Sequence, residues 1–378
     1  MILMTSKTSL ARHWLARLLA CWLTGLLSAS AQAREEGDPP SAAAPTVTRP
    51  AALDALPYDE REDVLNWVHA NAKRAGLNPD WMLDQLAQAR YQPKVAQLIL
   101  PTPVGVNKNW QAYRARFIEP LRIREGVAWW KEQQRWLALA ETRWGVPASI
   151  ITAIVGVETH YGRVPGNFRV LDALTTLAFD FPVGRSDRRP FFREELAAYL
   201  SWCSRERRDP QSVRGSYAGA MGLPQFMPSS ILKYAVDFNG DGHIDLSQQG
   251  ADVVGSVANY LAHFGWQPGL PTHFAVQAPQ DPDQLAQLLE PDVLPSFSPA
   301  QMRAYGALLD RDGQRHPGPL ALVALQNGNA APLYLATTQN FYTVTRYNWS
   351  AYYAMAVIDL AQELRKAHDA PPPRARTR

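Results

Sequence analysis

The chain has 378 residues, of which 46% are hydrophobic and 19% charged, with 30 prolines and 12 tryptophans. That balance excludes a disordered or fibrous chain and fits two or three folded domains with a sizeable core. A formal net charge of +3 is no broad basic surplus, which excludes nucleic acid as a partner on charge grounds.

The N-terminus reads as a targeting segment. Lys7, Arg12 and Arg17 precede an apolar run, residues 18–29, that is too short to span a bilayer as an ordinary helix. Ala31-Gln32-Ala33 is a small-x-small cleavage signal, so residues 1–33 are expected to be a signal peptide cleaved near Ala33, with a periplasmic mature chain. A second reading takes Leu18-Leu19-Ala20-Cys21 as a lipoprotein box, with anchoring through Cys21. The bulky Leu19 and the apolar run after Cys21 weigh against it. Loss of residues 1–33 removes three basic residues and no acidic one, so the remainder is neutral. It also leaves Cys203 as the sole cysteine, which forbids an intrachain disulfide and reads as a core thiol.

Residues 34–55, rich in Ala, Pro, Glu and Thr, read as a disordered leader. An N-terminal helical region follows over 56–145, with helices predicted at 63–74, 79–91, 110–117 and 126–144. A helical core is expected over 146–268, with helices at 147–162, 170–179, 191–203, 229–236 and 252–264. Ser229 is the expected N-cap of the fourth. The texture changes over 269–347, a β-containing insert with strands predicted at 273–277, 320–325, 332–338 and 342–347. Helices are predicted within it near 283–289 and 299–308. A final helix at 348–368 returns to the helical body, and 369–378 is a basic, proline-rich tail.

The predicted helix at 147–162 carries the first chemical signal. Ile150, Ile151, Ile154 and Val155 form one apolar stripe. Glu158 falls on that stripe in the last turn, so it is expected to point inward. Burial and the helix C-terminus both disfavour its charged form, which predicts a raised pKa, as a general acid needs. A structural ion pair with a buried arginine is the competing reading. No HExxH, GxSxG or Cys–His arrangement accompanies it. A glutamate acting alone as acid suits cleavage of a bond whose leaving oxygen needs a proton, as in glycoside hydrolysis.

Two further segments stand out. Residues 215–228 read GSYAGAMGLPQFMP; this is either a cramped packing corner or a flat groove with Ser216, Tyr217 and Gln225 as polar lining. Residues 237–245, DFNGDGHID, follow the EF-hand loop pattern. Asp237, Asn239 and Asp241 place oxygens at alternate positions, His243 offers its backbone carbonyl, and Gly242 makes the sharp turn. Gln248 stands where a bidentate Glu is usual, and Asp252 could close the site through a longer loop. The expected ion is a structural Ca²⁺; an ion-free Asx-rich turn is the competing reading.

These pieces occur together in a known family. GVETHYG (156–162), GSYAGAMGLPQFMPSS (215–230), DFNGDGHIDL (237–246), GSVANYL (255–261) and NFYTVTRYNWSAYYAMAV (340–357) resemble the lytic murein transglycosylase B family. The similarity extends over most of the chain from about residue 55 to 365. It implies a mainly α fold: a lysozyme-like helical core, an N-terminal helical region and a small β-containing insert. It implies cleavage of the β-1,4 bond between N-acetylmuramic acid and N-acetylglucosamine in peptidoglycan, leaving a 1,6-anhydromuramoyl end. By the resemblance, Glu158 stands at the catalytic acid/base. Ser216, Gln225, Tyr260, Tyr347 and the Asn340 segment, which includes Tyr342, match groove-lining positions; Tyr113, in NWQAYRARFI, resembles another. Arg188 and Arg189 match positions facing peptide or lactyl carboxylates. Asp237, Asn239, Asp241 and His243 match a calcium loop, with Asp252 a further ligand, although the loop is one residue longer than usual after Leu246. No cofactor is implied for catalysis. The implied partners are peptidoglycan glycan strands, with cell-wall synthesis or division proteins as further candidates. Soluble and lipid-anchored members both exist, so membrane attachment is expected only through a lipidated Cys21.

No second catalytic carboxylate is evident in these motifs. The substrate's own N-acetyl oxygen is therefore the expected internal nucleophile. A hydrolysing muramidase and a non-catalytic peptidoglycan-binding protein are the alternatives.

Overall fold

The computed structural model describes residues 56–100, 108–184 and 186–370. The signal segment with Cys21, the leader at 34–55 and most of the tail lie outside the described residues. A 3₁₀ turn at Tyr58–Glu60 comes first, then α1 (Glu62–Ala75), α2 (Pro79–Ala87), α3 (Pro93–Leu98), α4 (Trp110–Ala115), α5 (Pro120–Glu132), α6 (Gln134–Trp144) and α7 (Ala148–Thr159). Next are β1 (Phe168–Arg169), α8 (Val170–Phe179), α9 (Arg189–Arg205), β2 (Arg214–Gly215), α10 (Pro228–Tyr234) and α11 (Gly250–His263). Then come β3 (His273–Gln277), α12 (Pro282–Leu289), α13 (Pro299–Ala304), β4 (Leu308–Leu309), α14 (Arg311–Arg315), β5 (Ala321–Asn327), β6 (Ala330–Thr337), α15 (Gln339–Thr345) and α16 (Ala351–Asp369). Among the described residues no helix is long and apolar enough to cross a membrane.

The chain divides into two compact units. The larger contains Arg114–Gly269, the segment before residue 101 and the chain from Ala356 onward. Its centre is α7 and α8. Every residue of α8 is buried, as is every residue of α7 except Glu158. The predicted apolar stripe on α7 is thus one part of a helix enclosed on all sides, the usual fate of a helix with no polar face. Its Thr152 Oγ1 donates to the Ala148 carbonyl at 2.8 Å. On α8, Asp172 accepts from the Arg90 amide (2.9 Å), Gln92 Nε2 (3.0 Å) and Arg169 Nη2 (2.6 Å), which ties the segment after α2 to the core. The helix expected over 126–144 is two helices, α5 and α6, meeting at Gln133 (φ −93°, ψ 11°). α10 begins one residue early, with Met227 at its N-cap. Ser229 is instead held by Glu195, to which its amide (2.9 Å) and hydroxyl (2.7 Å) donate.

Among the described residues, the smaller unit contains 108–113 and Leu270–Met355. An antiparallel sheet of order β4-β3-β6-β5 packs Phe274, Leu322 and Ala336 against Leu288 of α12 and Met302 of α13. The strand expected at 342–347 is absent: residues Gln339–Thr345 are α15. Thr338 ends the strand and starts the helix, its Oγ1 accepting from the Asn340 amide at 3.1 Å. Phe341 and Val344, one turn apart, are then both fully buried. This helical spacing outweighs the strand preference of the β-branched run Thr343–Val344–Thr345.

One buried ion pair anchors the start of the larger unit. Arg61 Nη1 donates to both Asp180 oxygens (2.9 and 3.1 Å), Tyr58 Oη donates to Asp180 Oδ2 (2.5 Å), and both charged side chains are nearly inaccessible. Removing one partner strands the other charge. Arg61→Met is expected to cost about 3–5 kcal/mol of stability, and the double variant Arg61→Met/Asp180→Leu clearly less. Chemical denaturation of the three proteins measures both.

Candidate active site

Glu158 occupies the last turn of α7 and is the one half-exposed residue of that helix. The chain then makes a tight left-handed turn: φ is 51° at His160, 58° at Tyr161 and 91° at Gly162. Two consecutive non-glycine residues in this region cost on the order of 1–3 kcal/mol each and persist only where the surroundings fix them. Several contacts do so. The His160 amide donates to the Gly156 carbonyl (3.2 Å) and the Tyr161 amide to the Val155 carbonyl (3.3 Å), which satisfies carbonyls at the helix end. Thr159 Oγ1 donates to the Leu223 carbonyl at 2.9 Å and accepts from the Gly162 amide at 3.1 Å.

The tyrosine side chain fills a slot made by two glycines. A Cβ at Gly126 of α5 or Gly156 of α7 would collide with the Tyr161 ring. The ring stacks on Trp129 (centroids 6.2 Å, 29°), and burial raises the pKa of its hydroxyl. Arg122 Nη1 donates to the Gly156 carbonyl. Glu125 pairs with Arg163, whose Nη2 lies 2.6 Å from Oε1, and its Oε2 lies 2.8 Å from His160 Nε2 without hydrogen-bond geometry. Burial first, and Arg122 second, lower the His160 pKa. None of Arg122, Glu125, Gly126 or Trp129 was singled out by the sequence reading. Their spacing of three, one and three residues is one face of a helix, which is the signal that could have found them.

The segment at 214–226 folds into nested tight turns. Gly215 bridges to Met221, Met221 bridges to Phe226, and β2 pairs with β1. Residues 217–222 are buried, so much of the segment is a packing corner. Ser216 and Gln225 keep exposed surface. The Ser216 hydroxyl accepts from the Ala220 amide (3.0 Å), and Gln225, at φ 50°, donates to the Pro165 (3.0 Å) and Gly222 (2.9 Å) carbonyls. Tyr260 is buried in an aromatic cluster with Phe226, Tyr234 and Phe264. Arg188 is buried over the Phe191 and Phe192 rings, with centroids at 4.9 and 5.6 Å. Arg189 is exposed and forked onto Asp187, whose pKa it lowers.

The acidic loop is closely folded. Asp237 accepts from the Gly240 (2.7 Å) and Gly242 (2.8 Å) amides, Asn239 Oδ1 from the Asp241 amide (3.0 Å), and Asp241 Oδ1 from the His243 amide (2.9 Å). Gly242 has φ 88°, as the sharp turn requires. Asp252 on α11 is fully buried and clamps both ends of the loop, one oxygen accepting from the Phe238 amide and the other from the Asp245 amide, both at 2.9 Å. Burial raises its pKa. The donors Asp237, Asn239 and Asp241 are hard oxygens of the kind calcium prefers. Among the described residues, however, no three His, Cys, Asp or Glu side chains converge as a metal cluster. Side-chain amide and backbone oxygens would have to complete the set.

In the smaller unit, Tyr113 packs on Trp110 (6.4 Å) and Tyr352 (5.8 Å). Tyr342 meets Trp349 edge-on at 5.9 Å, and Tyr347 stacks on Tyr353 at 6.4 Å. All three retain exposed surface. Asn340, expected to line a groove, is fully buried, and its Nδ2 donates to the Leu270 carbonyl at 2.8 Å. It holds backbone rather than presenting an amide at the surface.

The sequence profile of the transglycosylase SLT domain matches residues 60–362. The chain is 39% identical over 304 residues to the membrane-bound lytic murein transglycosylase B of Escherichia coli strain K12, across 78% of this chain and 81% of that protein. It is similar to the soluble lytic transglycosylase SltB1 of Pseudomonas aeruginosa, with TM-score 0.71, 39% identity, and 82% of this chain and 100% of that one covered. It is also similar to the E. coli lytic transglycosylase Slt35 solved in complex with calcium, with TM-score 0.70, 34% identity, and 85% and 97% covered. The chain therefore belongs to the transglycosylase SLT domain family, as a mainly helical, lysozyme-like lytic murein transglycosylase.

Proposed function

We propose that this enzyme cleaves the β-1,4 bond between N-acetylmuramic acid and N-acetylglucosamine and closes a 1,6-anhydro ring, with Glu158 as its one acid/base. The observation that carries the assignment is Glu158 itself: the half-exposed carboxyl at the end of a helix otherwise wholly buried. Negative charge at a helix C-terminus is disfavoured, which suits a carboxyl that must hold its proton before reaction. Several other carboxylates of the larger unit are paired elsewhere: Glu125 with Arg163, Asp172 with Arg169 and Gln92, Glu195 with Ser229.

Glu158 gives its proton to the glycosidic oxygen as the C1–O4 bond breaks. The N-acetyl carbonyl oxygen of the muramoyl residue bonds to C1 in its place. The Glu158 carboxylate then takes the C6 hydroxyl proton, O6 displaces the acetamido oxygen from C1, and the acid is restored. No water is consumed. Ser216, Gln225, Tyr260, Tyr113, Tyr342 and Tyr347 are assigned to the glycan, and Arg188 and Arg189 to peptide or lactyl carboxylates. With purified sacculi, Glu158→Gln is expected to lower anhydromuropeptide release at least about 100-fold, the scale of a lost general acid. Mass spectrometry of the wild-type products reads the second half of the proposal: a product one water heavier means hydrolysis and overturns the ring closure.

The loop at 237–249 is assigned to a structural Ca²⁺, held by Asp237, Asn239, Asp241 and the His243 carbonyl, with Asp252 clamping the loop. The oxygen donors and the calcium complex of Slt35 support this. Calcium at about 100 times its Kd is expected to stabilise the fold by about 2.7 kcal/mol. Thermal unfolding with calcium and with EGTA measures the shift, and Asp237→Ala is expected to abolish it. An export signal cleaved near Ala33 completes the reading and places the enzyme in the periplasm beside its substrate.

A further inference from the structure

We propose that Arg122 is a positioning residue for this reaction: docked on the Gly156 carbonyl, it locks the last turn of α7 and so fixes the direction of Glu158 two residues on. The inference rests on Glu158 being the acid/base. Three observations carry it.

First, the end of α7 is enclosed, so its last carbonyls need protein donors. The Gly156 carbonyl takes two, the His160 amide and the Arg122 guanidinium. Second, the turn that follows is left-handed at three residues in succession, a conformation that relaxes if its holdings loosen. α5 holds it through one face: Arg122 takes the Gly156 carbonyl, Glu125 pairs with Arg163 and packs against His160, Gly126 admits the Tyr161 ring, and Trp129 stacks on that ring. Third, Arg122 is itself fixed. It follows the N-cap Glu119, whose Oε1 accepts from the Arg122 amide at 2.6 Å and lies 4.0 Å from Nε. Its guanidinium lies over Phe117 at 5.5 Å, and Tyr161 and Glu125 also face it. A cation at a helix C-terminus is favourable in itself, yet a surface lysine would supply that. The Nη1 donor adds a hydrogen bond to that charge, fixed on the Gly156 carbonyl while Nη2 lies 3.5 Å from the Arg116 carbonyl.

The test uses the full chain and soluble, uncrosslinked glycan strands, with kcat and KM read from anhydro product and folding from thermal unfolding. Arg122→Met is expected to lower kcat about 10- to 100-fold with KM within about two-fold, as misplacement of a reacting group does. Arg122→Lys, which restores a donor and the charge, is expected to recover kcat to within about five-fold of wild type. A folded Arg122→Met with wild-type kcat, or with a raised KM and unchanged kcat, overturns the proposal. Should that variant not fold, Arg122→Gln, whose amide is too short to reach the carbonyl, is read against the same thresholds. Glu158→Gln is run alongside. Anhydro release from it means the acid/base reading itself has failed; silence from it with wild-type turnover in Arg122→Met means only the positioning inference has.

Discussion

A helix with no solvent face must still end, and the buried C-terminus of α7 is the constraint on which the larger unit depends. Carbonyls at its end cannot all turn to water. The chain answers with its own amides at His160 and Tyr161, at the cost of two strained non-glycine residues, and with Arg122 from outside the helix. The same turn is tied onward. Thr159 Oγ1 donates to the Leu223 carbonyl, the Leu223 amide donates to the Leu246 carbonyl at 2.8 Å, and the neighbouring Asp245 amide donates to Asp252. The glycine-rich corner and the acidic loop are therefore linked to the helix end through successive backbone bonds. A cation in the acidic loop would stiffen the far end of that line.

The electrostatic arrangement follows the same economy. Buried acids in this unit are matched with specific donors: Asp180 with Arg61 and Tyr58, Asp172 with Arg169, Glu195 with Ser229. Burial, with a smaller push from Glu194, raises the Glu195 pKa even against two hydrogen bonds from Ser229. Desolvation at Glu195 therefore outweighs its neutral hydrogen bonds. Glu158 sits where the enclosed helix first meets solvent. A carboxyl there is within reach of a ligand.

Much of this was legible in the sequence, and the residues show why. Helix α8 and strand β3 lie at their predicted bounds, because Val170–Phe179 is a clean apolar helix pattern and His273–Gln277 is bounded by turn residues. The break at Gln133 carries no proline or glycine and could not be seen. α15 was read as a strand because Thr343, Val344 and Thr345 favour one locally, while the decisive contacts of Phe341 and Val344 are tertiary. For the site, the family motifs marked Glu158, Ser216, Gln225 and the acidic loop. Asn340 was marked with them, yet its side chain serves the Leu270 backbone. Arg122 escaped notice because it acts on a carbonyl 34 residues away. A lone arginine on a helix with several basic neighbours has no local signature.

A single carboxyl that must first give a proton and then take one has a demanding geometry. In the proposed reaction it faces the glycosidic oxygen in the first step and the C6 hydroxyl in the second. Flexibility that helps one step harms the other. A helix buried on every side, ended by a strained turn and held through one face of α5, removes that freedom before substrate arrives. The strain is thus balanced by rigidity where the proposed chemistry needs it. The holding residues, an arginine, a glutamate, a glycine and a tryptophan, act on backbone and ring positions, and in the proposed reaction they leave both proton transfers to Glu158.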